Sequence, residues 1–239
     1  MNAMVYVKGG RGENLVSRRN DADYAGIVQD VEITTLPVAA ASRYLDLMGF
    51  TGIVNSNVDW DDRMWKASPG DLAKACVLAM FMNSERPALT RIGQSLSEMP
   101  LDLMFDTVSD EDDLNRHAIS QMLDRVHEAG LEHIFMEAST SACAVWGLKT
   151  NAVHSDTSTR SVYGDYVLEP GEVPKVEITR GYSKEHRPDL KQYMQGYAVN
   201  QDGVLLAASP LSGNTADMKW YKRSIELLER VLREEDPVT

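Results

Sequence analysis

Residues 152–157, Ala-Val-His-Ser-Asp-Thr, mark where the chain changes character. Before them, apolar residues recur at helical spacing. From them onward, apolar residues alternate or cluster in short runs bounded by turn residues, which is strand patterning. The fold class expected is therefore mixed α+β, with a helical N-terminal domain and then the first strands and helix of a sheet domain. Residues two apart on a strand share a face, so His154 and Asp156 point the same way.

Working toward the C-terminus, 176–179 reads as a short strand. Residues 192–199 and 204–209 flank Asn200-Gln201-Asp202-Gly203, a strong hairpin signal. A helix is expected over about 216–233, capped by Asn214 or Thr215. Ile225, Leu228 and Leu232 would form its buried face. Glu226 with Arg230 and Glu229 with Arg233 would pair on the wet face. Three strands and one helix leave a sheet face uncovered and an edge unpaired, so the sheet reads as incomplete.

Working toward the N-terminus, helical stripes run back from Trp146. Leu131, Ile134, Phe135, Ala138, Ala142 and Val145 form one. Ile119, Met122, Val126 and Ala129 form another, ending at Gly130. Pro87 opens a helix with Leu89, Ile92 and Leu96 on one face. Ser68-Pro69 before Asp71 is a helix start, and 72–82 is apolar nearly all round apart from Lys74, as in a central helix. Val38, Ala41, Leu45 and Met48 give the first stripe, stopped by Gly49. The acidic run 110–113 suits a helix N-terminus. Residues 1–32 read as a flexible leader, 33–148 as the helical domain and 149–239 as the sheet domain.

Composition excludes several classes. The chain has 239 residues, 36 acids against 24 Lys and Arg, a net charge of −12, and 43% apolar residues. No stretch approaches the ~18 consecutive apolar residues of a membrane helix, and no secretory signal opens the chain. Two cysteines, Cys76 and Cys143, exclude a disulfide scaffold and a cysteine-only zinc cage. The default is a cytoplasmic, reducing location without a membrane partner. Cys76 reads as core, and Cys143 has no base nearby in sequence. His117, His127 and His133 read as surface residues, and the twelve methionines follow the helical stripes as packing. The charge is uneven: residues 1–150 hold 22 acids and 13 bases, the remainder 14 acids and 11 bases.

Three stretches could carry chemistry. Asp156, beside His154, either meets a hard cation such as Mg²⁺ or emerges into water at a strand end. Residues 180–191 hold Arg180, Lys184, Arg187 and Lys191 against Glu185 and Asp189, with Tyr182 and His186 interleaved. Such a loop can track a nucleic-acid backbone or be an ordinary solvated loop. Residues 211–217, LSGNTAD, read as a glycine turn and a helix cap, with Asp217 a weak metal-ligand candidate.

Taken in order, VHSDTSTRSVYGDY, ITRGYSKEHRPDLKQ and LSGNTAD resemble the DDE transposases of bacterial and archaeal insertion sequences. The resemblance is to the branch in which a helical domain of unknown function precedes the catalytic domain. It extends from about Ile33 to the C-terminus. Leu36-Pro37, Ser68-Pro69-Gly70 and Pro100-Leu101 match the style of that helical domain.

The resemblance implies a ribonuclease-H-like fold with Asp156 as the first catalytic and metal-binding carboxylate on the central strand. It implies two Mg²⁺ or Mn²⁺ ions and DNA, the ends of the mobile element, as the partner. Arg180, Lys184, Arg187 and Lys191 become candidate DNA contacts. The family's second Asp and its Glu do not follow here, and neither Asp202 nor Asp217 is placed to substitute. The resemblance therefore implies a truncated, catalytically inactive fragment. The alternative is a non-catalytic DNA-binding or assembly module that pairs with itself or with a full-length transposase and regulates it. A small phosphohydrolase using His154 and Asp156 is the weaker third reading.

Overall fold

The computed structural model describes residues 36–82, 87–168, 171 and 173–235, with α8 side chains through Glu229. The leader expected over 1–32 lies outside the described residues. Among the described residues, eight α-helices and a three-stranded antiparallel sheet give a mixed α+β fold.

The helical part is built around α3 (Pro69–Met82), which contacts α1 (Leu36–Leu47), α2 (Phe50–Asn57), α4 (Ile92–Leu96) and α6 (Arg116–Ala129). Ser68 caps α3 by accepting from the Asp71 N–H at 3.1 Å. Leu72, Ala75, Leu78 and Ala79 are buried, while Met80 and Phe81 are exposed, so α3 is central only over its first three turns. α2 has no strong periodicity, and its Gly, Thr, Asn and Ser are poor helix formers. It forms because Val54 is buried and its polar side chains are spent on neighbours. Asn55 accepts from the Gly70 N–H at 2.7 Å and Asn57 donates to Glu137 at 2.7 Å. Gly49, at φ 67°, makes the corner between α1 and α2 that a side chain would strain.

Two expected stripes shift. Ahead of α4, Leu89 belongs to a 3-10 turn and is exposed, leaving Ile92 and Leu96 buried. In α6, Ile119, Met122 and Val126 are buried but Ala129 is exposed beside the αL glycine that ends the helix. The acidic run forms a capping box, Asp110 with Asp113, on a 3-10 turn that leads into α6.

α7 (Leu131–Trp146) joins both halves. Leu131 and Val145 are exposed, contrary to the expected stripe. Ile134 enters the helical core, whereas Met136 packs with Met194, Ala198, Ala207, Leu211, Trp220 and Leu227 of the sheet core.

The sheet is a meander of β1 (Val153–Val162), β2 (Lys191–Asn200) and β3 (Leu205–Ser212), in that spatial order. The residues expected as a strand at 176–179 supply only a bridge between Thr179 and Gln192. The hairpin forms as the turn residues predict: Asn200 Oδ1 accepts from the N–H groups of Asp202 at 3.0 Å and Val204 at 2.8 Å. A register shift between Ala198 and Val199 lies just before the turn.

One sheet face buries Thr157, Thr159, Met194, Gly196, Ala198, Ala207, Ser209 and Leu211 under α7 and α8 (Asp217–Glu235). α8 presents Trp220, Ser224 and Leu227 to it; Ile225 is 57% exposed. Of the expected face, Leu228 is half-buried against the sheet core while Ile225 is not, because Trp220 sets the phase and brings Leu227 to the centre of the contact. Leu232, Arg230 and Arg233 lie outside the described side chains. A Cβ at Gly196 would sit 2.2 Å from the Trp220 indole, so glycine is what lets the indole lie on the strand.

Candidate functional site

The candidate site lies at the middle of β1, on the sheet face opposite α8. Asp156 pairs in register with Tyr197, and Thr157 with Gly196. The two-residue period therefore places Asp156 and His154 on the exposed face and Thr157 underneath, where it is 3% exposed. The shared face of His154 and Asp156 stands as expected. The sheet order makes β1 an edge strand, not the central strand that the resemblance implies.

That edge is met by the loop before β2. Lys184 Nζ donates to the Thr157 carbonyl at 2.7 Å and to Thr157 Oγ1 at 2.9 Å, and lies 3.4 Å from Asp156 Oδ1. Thr157 Oγ1 donates in turn to Asp217 Oδ1 at 2.6 Å, at the start of α8. One residue on, Glu185 accepts from the Ser161 N–H at 3.0 Å and sits 3.7 Å from Arg160. The Ser161 hydroxyl and N–H beside it, with Arg160, hold the Glu185 carboxyl below the usual carboxylate range.

The other candidate DNA contacts are distributed differently. Arg187 binds Asp189 through both ends of its fork, at 2.9 and 2.7 Å, and stacks 5.9 Å from the centre of the Tyr163 ring. The pairing raises the guanidinium and lowers the Asp189 carboxyl relative to their ordinary values. Lys191 donates to the carbonyls of Asp165 and Tyr166. Arg180 is exposed, close enough for Asp189 to feel its charge. Thus Lys184 joins Asp156, while Arg187 and Lys191 brace the β1–β2 connection beside exposed Tyr163. Among the described residues, no cluster of three His, Cys, Asp or Glu side chains is placed to hold a metal ion.

Residues 28–140 match the family model of a domain of unknown function, DUF4277. No curated protein and no solved structure matches the chain. The DUF4277 match takes in α1 through the first ten residues of α7 and stops short of β1, so the Asp156 site lies outside it.

Within the DUF4277 region the structure adds a group that periodicity marked only as an interruption. Lys74 is 2% exposed and lies against a cavity of about 370 Å³ between α2, α3 and the α5 turn (Leu101–Met104). Its ammonium donates to Asp46 at 2.5 Å and to the Met104 carbonyl at 2.5 Å, and sits 5.4 Å from the centre of the Phe105 ring. Those partners account for its burial. The charged residue in an apolar run was the legible signal; its partner Asp46, 28 residues away, was not. Cys76, on the same helix, is pushed up to about 11 by burial and is no nucleophile at neutral pH. His117, His127 and His133 are exposed, as expected. Among the described residues, no helix is long and apolar enough to cross a membrane.

Proposed function

We propose that this chain is the N-terminal portion of an insertion-sequence transposase: a DUF4277 region followed by the opening strands and first helix of a ribonuclease-H-like domain. The observation that carries the reading is the arrangement around Asp156. An antiparallel three-strand meander is followed by a helix on one face, and an exposed carboxylate stands mid-way along β1, the edge strand of the described sheet. The three sequence blocks supply the resemblance, and the meander is the context in which the first of them would be catalytic.

The residues at hand do not fit a pair of divalent ions. Asp156 is one carboxylate, its neighbour is an ammonium, and Asp217 is engaged by Thr157 on the other side of the strand. Two-metal phosphoryl transfer needs carboxylates converging on both ions. On this reading the chain alone does not cut DNA, and its part is to bind it. Arg180 is exposed, and Tyr163 with Arg187 forms a flat face for a base or sugar.

The test uses the DNA that flanks the coding sequence. Salt-sensitive gel shifts are expected, weakened by Arg180→Ala, with no strand cleavage in Mg²⁺ or Mn²⁺. Absence of binding at low salt would sink the DNA reading. Cleavage that Asp156→Ala abolishes would sink the inactivity. A second reading, an assembly module pairing with another transposase copy, is favoured by the half-buried sheet face carrying Tyr193, Gln195 and Tyr197. Light scattering that shows only monomer removes its self-association form.

A further inference from the structure

Two adjacent side chains stand where a strand would pair. The Lys184 ammonium donates to the Thr157 carbonyl at 2.7 Å, and the Glu185 carboxylate accepts from the Ser161 N–H at 3.0 Å. Both backbone groups therefore point away from β2, off the edge of β1. The two-residue period turns the N–H and C=O of Thr159, midway between them, the same way. A neighbouring strand would bring a donor to the carbonyl and an acceptor to the N–H, which is what the lysine and the glutamate do. Arg160, 3.7 Å from Glu185, holds the carboxylate from the β1 side.

The turn that carries the pair is itself fastened. The His186 N–H closes on the Ser183 carbonyl at 3.2 Å and the Arg187 N–H on Ser183 Oγ at 3.0 Å. Gln192 Nε2 ties its start through the Tyr182 carbonyl at 3.1 Å. His186 sits at φ 57°, a left-handed conformation that a non-glycine residue keeps only where its surroundings hold it.

The covered edge is self-complementary. An antiparallel second copy of β1, centred on Thr159, would set Thr157 opposite Ser161 and Thr159 opposite itself, so that the Thr157 carbonyl meets the Ser161 N–H. On the exposed face, Asp156 would lie diagonal to Arg160 of the second copy, within reach of that long side chain. On the buried face, Thr159 is 2% exposed and its Oγ1 has no hydrogen-bond partner among the described residues. Thr159 of the second copy would bring it one.

We propose that Lys184 and Glu185 plug the β1 edge against a second copy of this chain, and that with the plug removed two chains pair through β1 about Thr159. Charged side chains laid over an edge keep it from templating such pairing. The interface needs no metal at Asp156, and it uses the strand edge, not the face that carries Tyr193 and Tyr197.

The test compares the 239-residue chain with its Lys184→Ala/Glu185→Ala double variant, by light scattering and amide hydrogen exchange. In wild type the Ser161 amide should be slow and the Thr159 amide fast at every concentration. The double variant should self-associate about tenfold more tightly or better. Its Ser161 amide should exchange faster when dilute, and its Thr159 amide should slow as concentration rises. Adding Arg160→Asp should return it to monomer, and adding Asp156→Arg to that should restore the dimer. A double variant that stays monomeric, or that associates with its Thr159 amide still fast, would overturn the interface, as would association indifferent to Arg160→Asp. A wild-type Thr159 amide that slows with concentration would overturn the plug. Should the double variant fail to fold, Glu185→Ala alone carries the same readouts, and a wild-type Ser161 amide as fast as that of Thr159 would overturn the plug without any variant.

Discussion

At the scale of single residues, two positions concentrate the energetics. Trp220 is fully buried on Gly196, and its indole N–H donates to the Tyr197 carbonyl at 3.3 Å. Removing the indole leaves a large cavity under a thin sheet, so Trp220→Ala should cost about 3–5 kcal/mol. Gly196→Ala forces the ring off the strand and should cost about 1–3 kcal/mol. Urea melts measure both, and a loss under ~0.5 kcal/mol for either would contradict the packing. Asp113 is the second. Desolvation pushes its carboxyl up, while Lys66 and the N–H groups of Ser109 and Asp110 pull it further down, for a net value below the ordinary 3.8. A depressed folded value means the contribution is full above the unfolded value and is lost as pH falls through the folded one. Asp113→Asn should therefore cost about 1–3 kcal/mol at neutral pH, and the difference from wild type should shrink below about pH 4. A difference independent of pH would show that the carboxylate charge is not what is being lost. The acidic run 110–113 was readable as a helix N-terminus, though not as a cap. That Asp113 is buried was not, because the 3-10 turn carrying it packs on α4 and its ion-pair partner, Lys66, lies 47 residues away in sequence.

At the scale of elements, legibility follows how local the cause is. The 200–203 hairpin, the Ser68 cap on α3 and the αL glycine ending α6 each depend on neighbours in sequence, and each stands where the residues put it. α2 and the phase of α8 do not. α2 is held by Asn55 and Asn57 bonding to other helices, and α8 is turned by a tryptophan that finds a glycine on β2. Counting apolar residues on α8 favoured Ile225, yet the sheet takes Leu227. The two phases make opposite forecasts. With Leu227 at 8% exposure, Leu227→Ala should cost about 2–5 kcal/mol. Ile225→Ser should stay within about 0.5 kcal/mol. Thermal melts of the pair decide which stripe the helix buries, and a reversed order would return the helix to the phase read from sequence. The candidate site was legible to the same degree. The face shared by His154 and Asp156 follows from strand period alone. The approach of Lys184, 28 residues further on, depends on a turn whose target lies across a strand edge.

At the scale of the molecule, charge and packing pull different ways. A net charge of −12 speaks to solubility and long-range steering, and it leaves room for a local cationic site without predicting one. Packing ties the two halves together. α7 gives Ile134 to the helical core and Met136 to the sheet core, and Glu132 on the same helix binds Arg223 of α8 at 2.6 Å and accepts from Ser209 of β3. A boundary drawn after α7 from the change in periodicity cuts the chain where the pattern changes, while the contacts make α7 a shared wall. Local opening of one half would then expose part of the other's core, so the two should unfold together. Native-state hydrogen exchange tests this. The slowest amides of α3 and of β2 should report the same opening free energy, and Met136→Ala should lower both. Two distinct limits, with the sheet opening several kcal/mol before α3, would mean that α7 belongs to the helical core alone and that the sheet is an appendage on it.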